Sequence, residues 1–180
     1  MNLPNKITIA RVFMIPVFLC IYLIPGIPYA NYIAAAVFIV ACLTDALDGY
    51  LARKYHLITN FGKFMDPLAD KLLVSAALIC FVELKLVPAW IIIIIISREF
   101  IISGFRLVAS DNGVVIAASP IAKFKTSAQM IMSILLIVNF DLPVFNLLEQ
   151  VFIYLSLILT VLSLIDYLYK NRKVLSEGSK

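Results

Sequence analysis

The chain has 180 residues, of which 63% are hydrophobic and only 14% are charged. Soluble domains carry about a quarter charged residues, so this composition excludes a water-soluble domain and predicts an integral membrane protein. The net charge of +4 is modest, and no nucleic-acid partner is expected. The length suits a single domain over residues 1–180.

Six apolar stretches follow one another along the chain, each close to the 20 or so residues that a membrane-spanning helix needs. We therefore predict an all-α fold with six transmembrane helices. The predicted spans are residues 8–24, 31–52, 66–82, 88–108, 120–138 and 146–168. Proline, glycine and polar residues predict turns at 25–28, 83–85, 110–113 and 139–143. The first span is expected to be an uncleaved helix, because no small-residue cleavage site follows it.

The basic residues predict the orientation of these spans, because lysine and arginine concentrate on the cytoplasmic side of membrane proteins. With both termini in the cytoplasm, every lysine and arginine except Lys85 falls on that side. We therefore expect a multi-pass protein of the cytoplasmic membrane with both termini inside.

Four aspartates interrupt the apolar pattern between residues 44 and 71, namely Asp45, Asp48, Asp66 and Asp70. Their spacings of three and four residues place each pair on one helix face. Both pairs are predicted at the cytoplasmic ends of two helices joined by a polar link over residues 53–63. Acids at membrane depth cost about 3 kcal/mol each and repel one another. Divalent cations would hold them together, so we predict a metal site that faces the cytoplasm.

A second polar group consists of basic residues within or beside the later spans, Arg98, Arg106, Lys123 and Lys125. The eight-residue spacing of the two arginines places them on roughly one helix face. A cationic pocket at membrane depth favours a phosphate-bearing substrate. The alternative is pairing with Glu99 and with lipid headgroups.

The aspartate stretch carries the spacing D-x2-D-G-x2-A-R-x8-G-x3-D-x3-D, and its fixed positions are Asp45, Asp48, Gly49, Ala52, Arg53, Gly62, Asp66 and Asp70. This pattern resembles the signature of the CDP-alcohol phosphotransferases. The resemblance implies two Mg²⁺ ions, replaceable by Mn²⁺, held by the four aspartates. It also implies that Asp70, at the edge of the site, either helps to hold one metal or takes the proton from the acceptor hydroxyl.

The resemblance extends along most of the chain. Residues 3–11, 97–100, 104–109 and 122–126 are similar to segments of the phosphatidylglycerophosphate synthase subfamily. That similarity implies phosphatidyl transfer from CDP-diacylglycerol to sn-glycerol 3-phosphate, in a homodimer surrounded by membrane lipids. The implied CDP-diacylglycerol-binding residues are Asn5, Thr8, Gly49, Ala52, Arg53 and Gly62. The implied glycerol-phosphate-binding residues are Arg98, Arg106, Lys123 and Lys125.

Two other functions stay open at this point. Within the same fold, the acceptor could be serine, an inositol phosphate or phosphatidylglycerol, although the basic residues favour a phosphorylated one. An ion-coupled transporter could also use intramembrane acids. It is disfavoured because the aspartates lie at helix ends and the sequence shows no clear internal repeat.

Overall fold

The computed structural model describes residues 3–54, 60–111 and 119–171. Within these ranges six α-helices follow one another: α1 Leu3–Leu23, α2 Ala30–Lys54, α3 Asn60–Glu83, α4 Ala89–Asp111, α5 Pro120–Val138 and α6 Pro143–Lys170. The described part of the chain contains no strand, so the all-α prediction is confirmed. The side chains of some helical residues, including 45, 48–53, 60–67 and 70, lie outside the described part.

Prolines mark the starts of two later helices, one as predicted from the sequence and one at a position predicted to belong to the turn over residues 139–143. Pro120 is the first residue of α5, and Pro143 is the first residue of α6. Proline suits this position because its ring fixes a helical φ and its missing N–H would have no intrahelical acceptor there. The predicted turn between these helices is confirmed, since residues 139–142 are not helical.

The polar link predicted over residues 53–63 is too long. Helix α2 continues to Lys54 and α3 already begins at Asn60, six residues before the predicted start of the third span at residue 66. Helix α4 likewise includes residues 110 and 111, which were predicted to form a turn. The reason is that hydropathy locates the end of an apolar run, whereas a helix continues into water as long as its backbone hydrogen bonds are made.

Within the described part of the chain, three helices are long and apolar enough to cross a membrane by length and composition alone. They are Lys6–Leu23, Pro120–Val138 and Pro143–Lys170, and a shorter apolar helical stretch covers Ala30–Thr44. These helices are typical of a membrane protein. Helix α4 carries four charged residues, Arg98, Glu99, Arg106 and Asp111. The count of six spans and the cytoplasmic position of both termini stay predictions.

The first of two compact units comprises Met1–Leu86 and Ser133–Phe140. In it, α1 packs against both α2 and α3. Aromatic rings fill these contacts: the ring centroids of Phe18 and Phe38 lie 6.0 Å apart, and those of Tyr22 and Phe81 lie 6.4 Å apart. The Tyr22 hydroxyl donates a hydrogen bond to the carbonyl oxygen of Leu136 at 3.1 Å. Residues 133–140 therefore complete the packing of this unit.

The second unit comprises Val87–Met132 and Asp141–Lys180. In it, α4 packs against α6. The buried residues of α6 recur every three or four positions, at Glu149, Ile153, Ser156, Thr160, Ser163 and Tyr167. Small hydroxylated side chains of this kind let membrane helices approach closely and offer hydrogen bonds to a neighbouring helix.

Candidate functional site

The four aspartates lie on two neighbouring helices of the first unit. Asp45 and Asp48 are on α2, whereas Asp66 and Asp70 are on α3, and these two helices contact each other. Their side chains lie outside the described residues, among which no group of three or more histidine, cysteine, aspartate or glutamate side chains could hold a metal. As a donor set, four carboxylates on two contacting helices fit Mg²⁺, which prefers hard oxygen ligands.

The residues predicted to bind CDP-diacylglycerol all belong to helices of the first unit. Asn5 and Thr8 are on α1, Gly49, Ala52 and Arg53 are on α2, and Gly62 is in the first turn of α3. Thr8 is the one whose side chain the structure describes, and it is fully buried. A buried hydroxyl on a helix that packs against both aspartate-bearing helices suits the assigned role, which stays a prediction.

In the second unit, Glu99 joins two buried cations. The Arg98 Nη1 atom donates to Glu99 Oε1 at 2.9 Å, and the Lys125 ammonium group contacts the same oxygen. The Arg98 Nε atom also donates to the Ser163 hydroxyl at 3.0 Å. Arg98 is 6% exposed and Lys125 is 2% exposed. This network therefore fixes two positive charges from α4 and α5 beside one carboxylate, with α6 supplying a hydroxyl.

Arg106 is held differently from Arg98. Its guanidinium carbon lies 5.9 Å from the centroid of the Tyr167 ring, close enough for a cation–π contact. The Arg106 Nε atom is buried and has no hydrogen-bond partner among the described residues. Because Ser163 and Tyr167 both belong to α6, the two arginines share one face of α4, as their spacing predicts. An arginine with an unused buried donor suits an anionic ligand.

Lys123 and Lys125 differ sharply in exposure. The two residues are two positions apart on α5, which places them on nearly opposite sides of a helix. Lys125 is buried and pairs with Glu99, whereas Lys123 is exposed. Among the four predicted acceptor-binding residues, the structure thus joins Arg98 and Lys125 through Glu99 and leaves Lys123 apart from them.

From the sequence, Glu99 is predicted only as an alternative partner of the basic residues. Ser163 and Tyr167 have no role in that prediction. The signal for these two was available, since both belong to the polar row that recurs every three or four residues along the apolar α6. A polar row of this kind indicates that the helix side is buried against polar groups, because lipid would not satisfy them.

Comparison with known proteins identifies the family of the chain. The family model described as CDP-alcohol phosphatidyltransferase matches residues 1–162, and the chain belongs to this family. Three bacterial relatives carry the name CDP-diacylglycerol–glycerol-3-phosphate 3-phosphatidyltransferase. The Bacillus subtilis protein is 48% identical, with 99% of each chain covered. The Haemophilus influenzae protein is 41% identical, with 93% of this chain and 91% of that protein covered. The Rickettsia bellii protein is 35% identical, with 96% of each covered.

Members of this family generally depend on a metal ion. That dependence agrees with the carboxylate donor set on α2 and α3.

Proposed function

We propose that this protein transfers the phosphatidyl group of CDP-diacylglycerol to sn-glycerol 3-phosphate, giving phosphatidylglycerophosphate and CMP in phospholipid biosynthesis. The observation that carries the proposal is the 48% identity to the Bacillus subtilis enzyme over 99% of both chains. The donor and the acceptor are those in the names of the relatives. The buried cationic network on α4 and α5 supports an acceptor that carries a phosphate.

The aspartates of α2 and α3 would hold two Mg²⁺ ions, with Mn²⁺ as a substitute. Bound ions of this kind polarise a diphosphate and neutralise the charge that develops during transfer. Asp45, Asp48 and Asp66 serve as ligands, and Asp70 lies at the edge of the site. Arg53 donates to the diphosphate, while Gly49 and Ala52 leave room beside the nucleotide.

Transfer requires a hydroxyl of glycerol 3-phosphate to attack the phosphatidyl phosphorus. A new phosphorus–oxygen bond forms, and the bond to the CMP oxygen breaks, so that CMP leaves with the electron pair. Asp70 accepts the proton that the hydroxyl loses. A carboxylate near cations is a weak base, so the hydroxyl must itself be acidified within the site.

On the acceptor side, Arg98, Arg106 and Lys125 bind the phosphate of glycerol 3-phosphate. Arg98 presents a fixed guanidinium, because Glu99 and Ser163 restrain two of its nitrogen atoms. Restraint of this kind lowers the entropy lost when the phosphate binds. Lys123 is exposed and attracts the acceptor by its charge alone.

We place the enzyme in the cytoplasmic membrane with its active site facing the cytoplasm, because the basic residues predict that orientation. A reporter fused after Lys180 should therefore be cytoplasmic, and an external reporter would contradict the orientation. The homodimer implied by the family resemblance stays a prediction.

The decisive experiment supplies purified protein with CDP-diacylglycerol, Mg²⁺ and one acceptor at a time, and follows CMP release and the lipid product. The acceptors are glycerol 3-phosphate, serine, inositol 1-phosphate and phosphatidylglycerol. We expect rapid CMP release with glycerol 3-phosphate and not with the other three acceptors. Faster release with another acceptor would overturn the substrate assignment but keep the reaction class, whereas no release with any acceptor would overturn the class itself.

A further inference from the structure

Arg11 is a buried charge for which the proposed function assigns no role. It lies on α1 and is 1% exposed, so its guanidinium does not extend to lipid headgroups as a membrane anchor would. The buried residues of α1 include Thr8, Arg11, Phe18 and Tyr22, which are spaced three, seven and four positions apart and so share one face. This face is the one whose aromatic rings contact α2 and α3. Arg11 thus belongs to the contact surface between α1 and the two aspartate-bearing helices.

The contact of α1 with α2 sets a register. The two helices are joined by the short turn at residues 24–29 and are antiparallel neighbours. Phe18 meets Phe38 across this contact. Arg11 is seven residues before Phe18, and position 45 is seven residues after Phe38. Seven residues make two helical turns, about 10 Å along each axis. Position 45 therefore lies level with Arg11, at the helical spacing set by the buried residues Ala34, Phe38 and Ala41.

The contact of α1 with α3 independently places a second aspartate position, residue 70, level with Arg11. Tyr22 meets Phe81, and both residues lie close to the carboxyl-terminal ends of their helices, which run parallel. Arg11 is eleven residues before Tyr22, and position 70 is eleven residues before Phe81. Eleven residues make three helical turns, so the same faces meet again. Position 70 has the helical spacing set by the buried residues Leu73, Ala77 and Phe81 on α3.

The composition of the first unit limits which anions could balance Arg11. Its sequence contains five acidic residues, the four signature aspartates and Glu83. Glu83 is exposed at the opposite end of α3 from the aspartates. A buried arginine needs an anionic partner at all times, because an uncompensated buried charge costs several kcal/mol. The anions at the level of Arg11 are those of positions 45 and 70.

We propose that Arg11 is a positioning residue of the metal site, the permanent counter-ion of the carboxylates of Asp45 and Asp70. This inference rests on the proposed metal site. Before metal binds, the guanidinium offsets repulsion among four acids and holds two of them in place. After metal binds, its positive charge opposes that of the metal, and the affinity for metal is lower than the carboxylates alone would give. Arg11 thereby keeps the metal-free protein folded at the expense of metal affinity.

The test measures thermal unfolding of the purified full-length protein in detergent, with EDTA or with saturating Mg²⁺ and without substrates. Arg11→Met should lower Tm in EDTA by about 5 °C or more. The same substitution should lower Tm less in Mg²⁺. The increase in Tm on adding Mg²⁺ should therefore be larger for Arg11→Met than for the wild type. Arg11→Lys keeps the positive charge, so its increase in Tm on adding Mg²⁺ should stay close to the wild-type value. A loss of packing alone would lower both values of Tm equally.

Arg98→Met is the matched control, because it removes a buried arginine that pairs with Glu99 in the second unit. Its Tm should fall equally with and without Mg²⁺. Equal falls for Arg11→Met would overturn the proposal. If Arg11→Met does not fold, Arg11→Gln with Mn²⁺ titrated by electron paramagnetic resonance replaces it. We expect about tenfold tighter Mn²⁺ binding, and unchanged or weaker binding overturns the proposal. If the wild type itself neither binds Mn²⁺ nor gains stability from Mg²⁺, the metal site fails instead.

Discussion

Two buried arginines, Arg11 in the first unit and Arg98 in the second, show opposite ways of placing charge among apolar helices. Arg98 has partners within reach, since Glu99 and Ser163 both accept hydrogen bonds from it, and Glu99 also binds Lys125. There, two cations share one carboxylate. In the first unit, a single arginine on α1 faces α2 and α3, which carry four aspartates.

The difference indicates the sign of charge of the ligand that each unit would bind. The four aspartates of α2 and α3 form a set of hard oxygen donors, which metal ions would fit. Two cations against one acid leave a demand for an anion, which a phosphate can satisfy. The carboxylates of α2 and α3 and the network of Arg98, Glu99 and Lys125 would thus favour ligands of opposite charge.

The largest effect should come from loss of a charge in the acidic set. Asp66→Asn removes one formal charge from a site that holds several cationic charges, so activity should fall about a hundredfold or more, because loss of a residue that only supports a metal ligand already costs 10–100-fold. The measurement is CMP release with Mg²⁺ in excess. A rate near that of the wild type would exclude Asp66 as a ligand.

A smaller effect is expected from the cationic set. Arg106→Ala should raise the KM for glycerol 3-phosphate about tenfold, because charge-assisted hydrogen bonds to a phosphate are worth about 1.5–3 kcal/mol. The KM for CDP-diacylglycerol should hardly change. Arg53→Ala is the control and should show the reverse pattern. If Arg106→Ala instead raised only the KM for CDP-diacylglycerol, the cationic set would serve the donor.

The two lysines of α5 provide a sharper comparison within the second unit. Lys125→Met removes a buried charge that pairs with Glu99, whereas Lys123→Met removes an exposed one. We expect the KM for glycerol 3-phosphate to rise about tenfold for Lys125→Met and less than about twofold for Lys123→Met, since exposed charges are screened by solvent. Equal effects would mean that long-range attraction, and not the Glu99 network, governs acceptor binding.

The smallest effect concerns stability alone. Lys85 follows α3 with a left-handed φ of 59°, and the Leu86 N–H donates to the Phe81 carbonyl at 2.8 Å across this turn. Because glycine adopts such a φ without a Cβ clash, Lys85→Gly should stabilise the protein by about 0.5–1 kcal/mol. Thermal unfolding measures the gain, and Lys85→Ala, which keeps the clash, should show none. If Lys85→Gly restored activity to Asp66→Asn, the loss in that variant would be due to unfolding.

The sequence predicts the six helices and the start of α5 at Pro120, because proline and apolar runs act locally, but it places the start of α6 three residues too late. It misplaces the ends of α2 and α4 and the start of α3, since polar residues near water do not stop a helix. The aspartate spacing could be found from the sequence, because the members of each pair are only three or four residues apart. The partners of Arg98 could not, because Ser163 is 65 residues away and nothing local identifies it. The sequence indicates only a topological role for Arg11, whereas the contacts of Phe18 and Tyr22 give its register against α2 and α3.

The hydrogen bond between Tyr22 and Leu136 has a consequence for how the protein is made, because its two ends are 114 residues apart. A ribosome adds about 5–20 residues per second, so Leu136 follows Tyr22 into the membrane by on the order of ten seconds. The first three helices of the first unit are complete well before residues 133–140 exist. We therefore expect a nascent chain arrested before Ser133 to insert α1, α2 and α3, with the Tyr22 hydroxyl still hydrogen-bonded to water or lipid.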